Sequence, residues 1–115
     1  MSKAVAIVGS SILGTTTGEH HGHYDAFGNP IHGAGILTGT VASGDSKLKI
    51  NSIAVGVELS PTSETDNCGS GNGTLGNAQH KLKVNGKCVQ LVDDSTIPHN
   101  GTAKITSGSA KILVG

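Results

Sequence analysis

Residues 47–57 read KLKINSIAVGV, and 34 positions further along residues 81–91 read KLKVNGKCVQL. The first five positions of the two copies are nearly identical, and apolar residues recur at every second position on both sides of a central pair. That pair is Asn-Ser in the first copy and Asn85-Gly86 in the second. Asn-Gly is a strong hairpin signal, because the type I′ turn of a two-residue hairpin needs a positive φ at both central positions. The repeat therefore predicts two β-hairpins built on one pattern.

The two ends of the chain together carry a third copy. The last eight residues, GSAKILVG, align with GDSKLKIN at residues 44–51 and stop where the turn would follow. Residues 3–8, KAVAIV, lie over KCVQLV at residues 87–92 with a constant offset of 84. We expect residues 1–8 to pair with residues 111–114 as a hairpin without its turn. Three such units would close a ring with pseudo-threefold symmetry, so the predicted fold is a small, cone-like, all-β single domain over residues 1–115.

Composition agrees with a small β domain and excludes some functional classes. Only 35% of the residues are hydrophobic, and Tyr24 and Phe27 are the only aromatic residues, so the apolar core must be thin. Eight lysines balance eight acidic residues and arginine is absent, which argues against a nucleic-acid partner. The start, MSKAVAIVGSSILG, has the character of a weak signal peptide, but Gly9 breaks its apolar run and a β-strand is preferred. Without an export signal, the two cysteines are expected to stay reduced.

Potential metal ligands are concentrated in the three segments between the predicted hairpins, roughly residues 9–43, 58–77 and 93–107, which we expect to be loops. These segments hold five of the six histidines and one of the two cysteines: His20, His21, His23, His32, Cys68 and His99. Structural zinc takes four nitrogen or sulfur ligands, and three loops leaving one side of a ring would converge on its axis. Of the first three histidines, only one is needed beside His32. Cys88 is the poorer candidate, because its equivalents in the other copies are alanines and free cysteine often behaves as a small hydrophobe.

With these features the chain resembles the PAAR-repeat proteins, the sharpened tips of type VI secretion spikes and of contractile phage tails. The family pattern is carried here by SGDSKLKINSIAVGV, NAQHKLKVNGKCVQLVDD, SGSAKILVG and KAVAIVGS. The resemblance implies a closed structural site in which three histidines and one cysteine hold a zinc ion at the tip. In family order these ligands correspond to His32, Cys68, His99 and one histidine near the N-terminus, His21 or His23. Zinc is expected here rather than iron.

The resemblance also implies a function that is structural and not enzymatic. One tip would cap a trimeric β-helical spike protein, and sheath contraction would drive the capped spike through the envelope of a target cell. The protein would be made in the bacterial cytoplasm and would end at the tail tip of a phage virion or at the secreted tip of a bacterial injection apparatus.

Two other functional classes remain open from the residues alone. A small zinc-dependent hydrolase would keep a water on the metal beside a carboxylate base, for which Glu19, Asp25 and Asp66 are available. A trimeric spike apex would instead bind one iron ion octahedrally through His21 and His23 of three chains. Metal content per chain separates the closed tip from the trimeric apex, because the closed tip holds one zinc ion per chain and the apex holds one iron ion for every three chains.

Overall fold

The structure is a computed structural model that describes residues 2–114. Within this range the chain is all-β, as predicted, and no helix is long and apolar enough to cross a membrane. The strands in chain order are β1 (Lys3–Val5), β2 (Ser11–Thr15), β3 (Ile36–Val41), β4 (Asp45–Ile50), β5 (Ile53–Val55), β6 (Pro61–Thr65), β7 (Ser70–Leu75), β8 (Lys83–Val84), β9 (Lys87–Cys88), β10 (Thr96–Ile97), β11 (Thr102–Ile105) and β12 (Ser109–Val114).

Both predicted hairpins of the repeat are present. Strand β4 pairs antiparallel with β5, and β8 pairs antiparallel with β9. At the centre of the first turn φ is 53° at Asn51 and 67° at Ser52, and at the second it is 54° at Asn85 and 78° at Gly86. Positive φ at both central residues is the property of a type I′ turn, whose twist matches that of the flanking strands. The local sequence signal is therefore confirmed in both copies.

The chain termini pair with each other, as the 84-residue register predicts. Strand β1 lies antiparallel to β12, with Lys3 opposite Val114 and Ala4 opposite Leu113. Residue Lys3 also forms an exposed ion pair with Asp93. The predicted pairing of the termini is therefore present between Lys3–Val5 and Ser109–Val114, with a register shift between Ala4 and Val5, while Met1 and Gly115 lie outside the described residues.

Backbone hydrogen bonds connect the three units in a closed cycle. The amide of Ala6 donates to the carbonyl of Gln90, that of Gln90 donates to Gly56, and that of Gly56 donates back to Ala6, at 2.8 to 2.9 Å. These residues occupy the same position in the three copies of the repeat. A second set of three bonds runs around the three units in the opposite direction: the amide of Val8 donates to the carbonyl of Ala54, that of Glu58 to Cys88, and that of Val92 to Ala4. Each unit thus donates one bond to, and accepts one bond from, each of its two neighbours.

The segments expected to be loops contain the largest sheet of the described chain, and that expectation was wrong. Six antiparallel strands run in the order β10-β7-β6-β3-β2-β11, and a bridge between Ser95 and Lys104 brings the two edges together, so the sheet nearly closes into a barrel. Strand β6 shows why the sequence concealed it. Its residues PTSET include no large aliphatic side chain, yet Thr62 and Glu64 point inward and are buried while their neighbours are exposed. An interior lined partly by polar groups lacks the apolar alternation that identifies a strand.

Two separate apolar clusters form the core. One joins the three hairpin units and contains Val5, Ile50, Val55, Val57, Val84, Val89 and Leu91. The other fills the barrel and contains Ala6, Ile12, Leu37, Val41, Leu75, Ala103 and Ile105. The molecule is correspondingly elongated, with principal extents of 52 × 26 × 22 Å.

The barrel strands bring three irregular segments to one end of the molecule. The barrel consists of three pairs of strands consecutive in the chain, β2-β3, β6-β7 and β10-β11, and each pair begins and ends next to the hydrogen-bonded cycle. There the amide at the end of the pair donates to the carbonyl just before its start: Val41 to Ser10, Leu75 to Ser60 and Ile105 to Asp94. The connections at the far ends of these strands are residues 16–35, 66–69 and 98–101, which we call the tip loops. The hairpins of the repeat lie at the opposite end, which we call the base.

Candidate metal centre

Hydrogen bonds fix the tip loops against one another. The longest loop is closed at its start, where the Thr16 amide donates to the Gly35 carbonyl at 2.9 Å. The side chain of Asn100 accepts from the Thr17 amide at 2.9 Å, which ties the first and third loops together. The side chain of Asn67 donates to the Gly33 carbonyl at 2.9 Å, which ties the second loop to the first. Side chains of all three loops are therefore held at one end of the barrel.

One group of potential metal ligands, which we call the cysteine group, consists of Glu19, His23, His32 and Cys68. One ligand atom from each lies within 4.8 Å of all the others. The Cys68 Sγ atom is 3.6 Å from His23 Nδ1 and 2.8 Å from Glu19 Oε2. A tetrahedral zinc ion with ordinary bond lengths holds a sulfur and a nitrogen ligand about 3.6 Å apart. The two side chains from different tip loops are thus spaced as they would be around one ion.

Buried charge governs the chemistry of the cysteine group. Burial raises the pKa of Glu19, but hydrogen bonds from the Cys68 thiol, a histidine amide and a histidine ring outweigh it, so the pKa lies well below its usual range. Burial and the nearby Glu19 carboxylate raise the pKa of the Cys68 thiol. Without an ion, the thiol therefore keeps its proton and donates it to Glu19. A bound metal would replace that proton, because metal ligation requires a thiolate.

The second group, which we call the histidine group, consists of His20, His21, Asp66 and His99, again with ligand atoms within 4.8 Å of one another. The Nε2 atoms of His20 and His99 are 3.2 Å apart, and Asp66 Oδ2 lies 2.9 Å from the first and 2.8 Å from the second. The His21 ring lies nearby, tilted by 46° to the His20 ring, with the two centroids 4.4 Å apart. Three imidazoles and one carboxylate thus surround a single point.

The position of Asp66 is set by its own loop. Its Oδ1 atom accepts from the amides of Cys68 at 2.7 Å and Gly69 at 3.0 Å, which shapes the turn after β6. Its Oδ2 atom is left to face the histidines. Burial raises the pKa of Asp66, but bonds from the Cys68 amide, His20, Gly69 and His99 bring it down to about 2. The pKa of His20 is raised, chiefly because its Nδ1 bonds to the Gly18 carbonyl, with a further contribution from Asp66.

The structure divides the ligands expected from the sequence between these two groups. His23, His32 and Cys68 lie in the cysteine group, whereas His21 and His99 lie in the histidine group. The groups adjoin, since the rings of His21 and His23 stack with centroids 6.1 Å apart. Cys88 belongs to neither group and is buried in β9. Both cysteines are free thiols.

Sequence reasoning missed three members of the two groups. Glu19 and Asp66 were considered only as bases of a hydrolase, and His20 was treated as one of three competitors for a single place. The sequence did contain an indication that these acids could be ligands, because they lie next to other potential ligands. Glu19 directly precedes His20, and Asp66 lies two positions before Cys68. Asp25, the remaining candidate base, lies in an exposed turn, where it accepts the amides of residues 27 and 29.

Comparison with known proteins gives no match: no family model, no curated protein and no solved structure is significantly similar to this chain. The PAAR-like repeat therefore stays a prediction from the sequence. The structure contributes an all-β chain with two sets of side chains close enough to hold metal ions.

Proposed function

We propose that this protein is the structural tip of a membrane-piercing spike in a contractile injection system. In this role one chain caps a trimeric β-helical spike protein and enters the target envelope first. The observation that carries the proposal is the closed cycle of backbone bonds between Ala6, Gly56 and Gln90. Equivalent residues bonded in a cycle are what a single chain with pseudo-threefold symmetry requires, and such a chain can match a threefold partner.

The base of the molecule has the features of a docking surface for a trimer. Its hairpins form three separate two-stranded sheets, β1-β12, β4-β5 and β8-β9, whose outer edges have no partner strand among residues 2–114. Unpaired edges are a liability in a free monomer and are normally covered. Leu48, Leu82 and Ile112 occupy one position of the repeat and are each partly buried against the base cluster. Three equivalent apolar side chains can therefore meet three equivalent chains of a spike.

The tip end has the features of a site for a structural metal ion. The core is thin, and small domains of this kind are commonly stabilised by a metal. We assign a structural zinc ion to the cysteine group, where Glu19, His23 and His32 of the first tip loop and Cys68 of the second would share it. Four protein ligands close a tetrahedral site, which leaves no position for a catalytic water. The assignment favours a structural role over the hydrolase alternative.

The test is the stoichiometry of the complex with the β-helical spike trimer of the source organism. After co-expression, light scattering and native mass spectrometry should find one tip chain for every three spike chains. A complex with three tips per trimer, or no complex at all, would contradict the proposal.

A matched pair of variants tests the docking surface. Leu82→Asp places a charge at the base and should weaken spike binding about tenfold or more, since buried apolar anchors dominate interfaces. Leu13→Asp is the control, because Leu13 lies on the outer face of the barrel and is half exposed. It should leave binding unchanged. Equal effects of the two variants would place the interface elsewhere.

A further inference from the structure

We propose that the histidine group is a second metal site, so that the tip holds two divalent transition-metal ions and not one. The ligands of this second ion are the Nε2 atoms of His20 and His99, Asp66 Oδ2 and the ring of His21. The inference does not depend on the spike function, because it concerns only the metal content of the isolated chain.

The hydrogen bonds behind the two outer histidines fix their tautomers. His99 Nδ1 lies 2.6 Å from Glu64 Oε1, and the Glu64 side chain is fully buried inside the barrel. A buried carboxylate accepts and does not donate, so the proton of His99 resides on Nδ1. His20 Nδ1 likewise faces the Gly18 carbonyl, which can only accept. In both neutral rings, the Nε2 lone pair is therefore left facing the histidine group.

As long as both rings are neutral, three acceptor atoms consequently meet at one point without a donor between them, and His20 or His99 can donate to Asp66 only when its ring gains a second proton. His20 Nε2, His99 Nε2 and Asp66 Oδ2 lie 2.8 to 3.2 Å apart. Extra protons could satisfy them only by making two imidazolium rings share one carboxylate oxygen, and like charges so close repel strongly. One divalent ion satisfies all three. An ion with bonds of about 2.1 Å to each atom would sit about 1 Å above the plane of the triangle they form.

The fourth ligand is marked by an independent observation. His21 Nε2 is buried and has no hydrogen-bond partner among the described residues. Buried polar atoms are nearly always partnered, so an unpaired nitrogen inside a ring of potential ligands indicates a missing partner. The His21 ring lies 5.5 Å from that of His99 between centroids and contributes a ligand atom to the same group. The donor set is therefore three nitrogens and one oxygen.

This donor set selects a class of metal. Imidazole nitrogen suits zinc and the neighbouring first-row ions, whereas calcium and magnesium prefer oxygen ligands. The Glu64 carboxylate behind His99 has the position of the outer carboxylates that orient metal-ligating histidines. The geometry thus fits zinc, cobalt, nickel or ferrous iron, and zinc or cobalt can serve as the probe.

The experiment is a count of metal ions on the full-length chain. The stripped protein is titrated with Zn²⁺, dialysed and examined by native mass spectrometry and elemental analysis. We expect two zinc ions per chain for the wild type and one for Asp66→Asn, which retains the Oδ1 acceptor of the turn but lacks the anionic ligand. His80→Gln is the control and should keep two, because His80 bonds to Asp94 outside both groups. One zinc ion per wild-type chain, with no loss in Asp66→Asn, would overturn the proposal.

Cobalt distinguishes the two sites within one protein. Two Co²⁺ ions should bind to the wild type, and one of them should show a thiolate charge-transfer band from Cys68. In Asp66→Asn this band should persist while the metal count falls by one, which also shows that the variant has kept its fold at the tip. If the band disappears together with the second ion, the groups form a single site and the proposal fails. Spike binding is measured separately, so its failure would not alter this result.

Discussion

At the residue scale, one buried acid connects the barrel to the tip. Glu64 lies on β6 with its side chain inside the barrel, where it accepts from the Thr62 hydroxyl at 2.9 Å. It also accepts from both the amide and the Nδ1 of His99. A buried carboxylate is tolerated because these donors replace water. The same bonds orient the His99 ring so that its Nε2 atom points at the histidine group.

Glu64→Gln should weaken the metal affinity of the histidine group by about 10- to 100-fold, the usual effect of losing an outer carboxylate. The residue acts by positioning His99, so the cysteine group should be unaffected. Zinc titration followed by calorimetry measures the two affinities. An equal loss at both groups would instead indicate general unfolding of the tip.

Replacing Cys68 by Ser should remove the metal ion of the cysteine group, because a hydroxyl remains protonated where a thiolate would bind. Cys88→Ser is the matched control, since Cys88 is buried in β9 and belongs to neither group. Metal content by elemental analysis should fall by one ion in the first variant and stay constant in the second. Equal metal content in the two variants would show that Cys68 is not a metal ligand.

The two type I′ turns provide a matched test of local strain. Ser52 adopts a φ of 67°, a region that costs a residue with a side chain about 1 kcal/mol or more relative to glycine. Ser52→Gly should therefore stabilise the protein by about 1 kcal/mol, and Gly86→Ser should destabilise it by a similar amount. Thermal unfolding measures both, with shifts in Tm of several degrees expected. Shifts of the same sign in the two variants would contradict the idea that positive φ makes glycine more stable than serine at this turn position.

At the element scale, a short strand at the N-terminus has a large topological role. Strand β1 has three residues, yet it pairs with β12, and its last residue, Val5, and the following Ala6 are both fully buried. Its removal would open the cycle of backbone bonds and expose the apolar cluster at the base. The central barrel strands are longer but include polar ones such as β6, so their stability depends on inward hydrogen bonds as well as apolar burial.

Deleting residues 2–8 should unfold the domain or cause it to aggregate, because β12 loses its partner and the cycle is broken. Deleting residues 24–30 is the control of equal length. That segment is exposed, and its flanks are already close, with the Ile31 amide donating to the His23 carbonyl at 3.0 Å. Circular dichroism and gel filtration report the outcome. A soluble, folded protein after the first deletion would contradict the structural role of β1.

At the scale of the whole molecule, the base and the tip are stabilised by different means. The base and barrel have apolar clusters, whereas the tip loops are joined by polar contacts between potential ligands. Removing metal ions should therefore loosen the tip first and leave the base intact.

Hydrogen exchange tests this difference. After chelation, amides of residues 16–35 and 66–69 should exchange faster, while those of Ala6, Gly56 and Gln90 should stay protected, because they belong to the closed cycle. The melting temperature should fall as well, since an ion that binds only the folded state stabilises it. Uniform exchange along the chain, or none gained at the tip, would contradict a structural metal.

The sequence by itself determined the parts of the fold that depend on neighbouring residues. A type I′ turn is decided within two positions, so Asn85-Gly86 and its alternating flanks were sufficient to predict the hairpin. The pairing of the termini was also readable, because the repeat supplies an internal template for it. The same pattern indicated that the histidines and Cys68 would gather at one end.

Only the tertiary structure decided how those side chains are grouped. His20 and His99 are 79 positions apart in the sequence, and Glu19 and Cys68 are 49 apart. Their contacts depend on the register of the barrel strands, which the apolar pattern of the sequence did not predict. The buried acids were equally hidden, since a carboxylate is expected at the surface unless its donors are known. Strand β6 brings Glu64 and Asp66 to the tip, and the closure of the barrel supplies those donors. The division of the ligands into two groups follows from that closure.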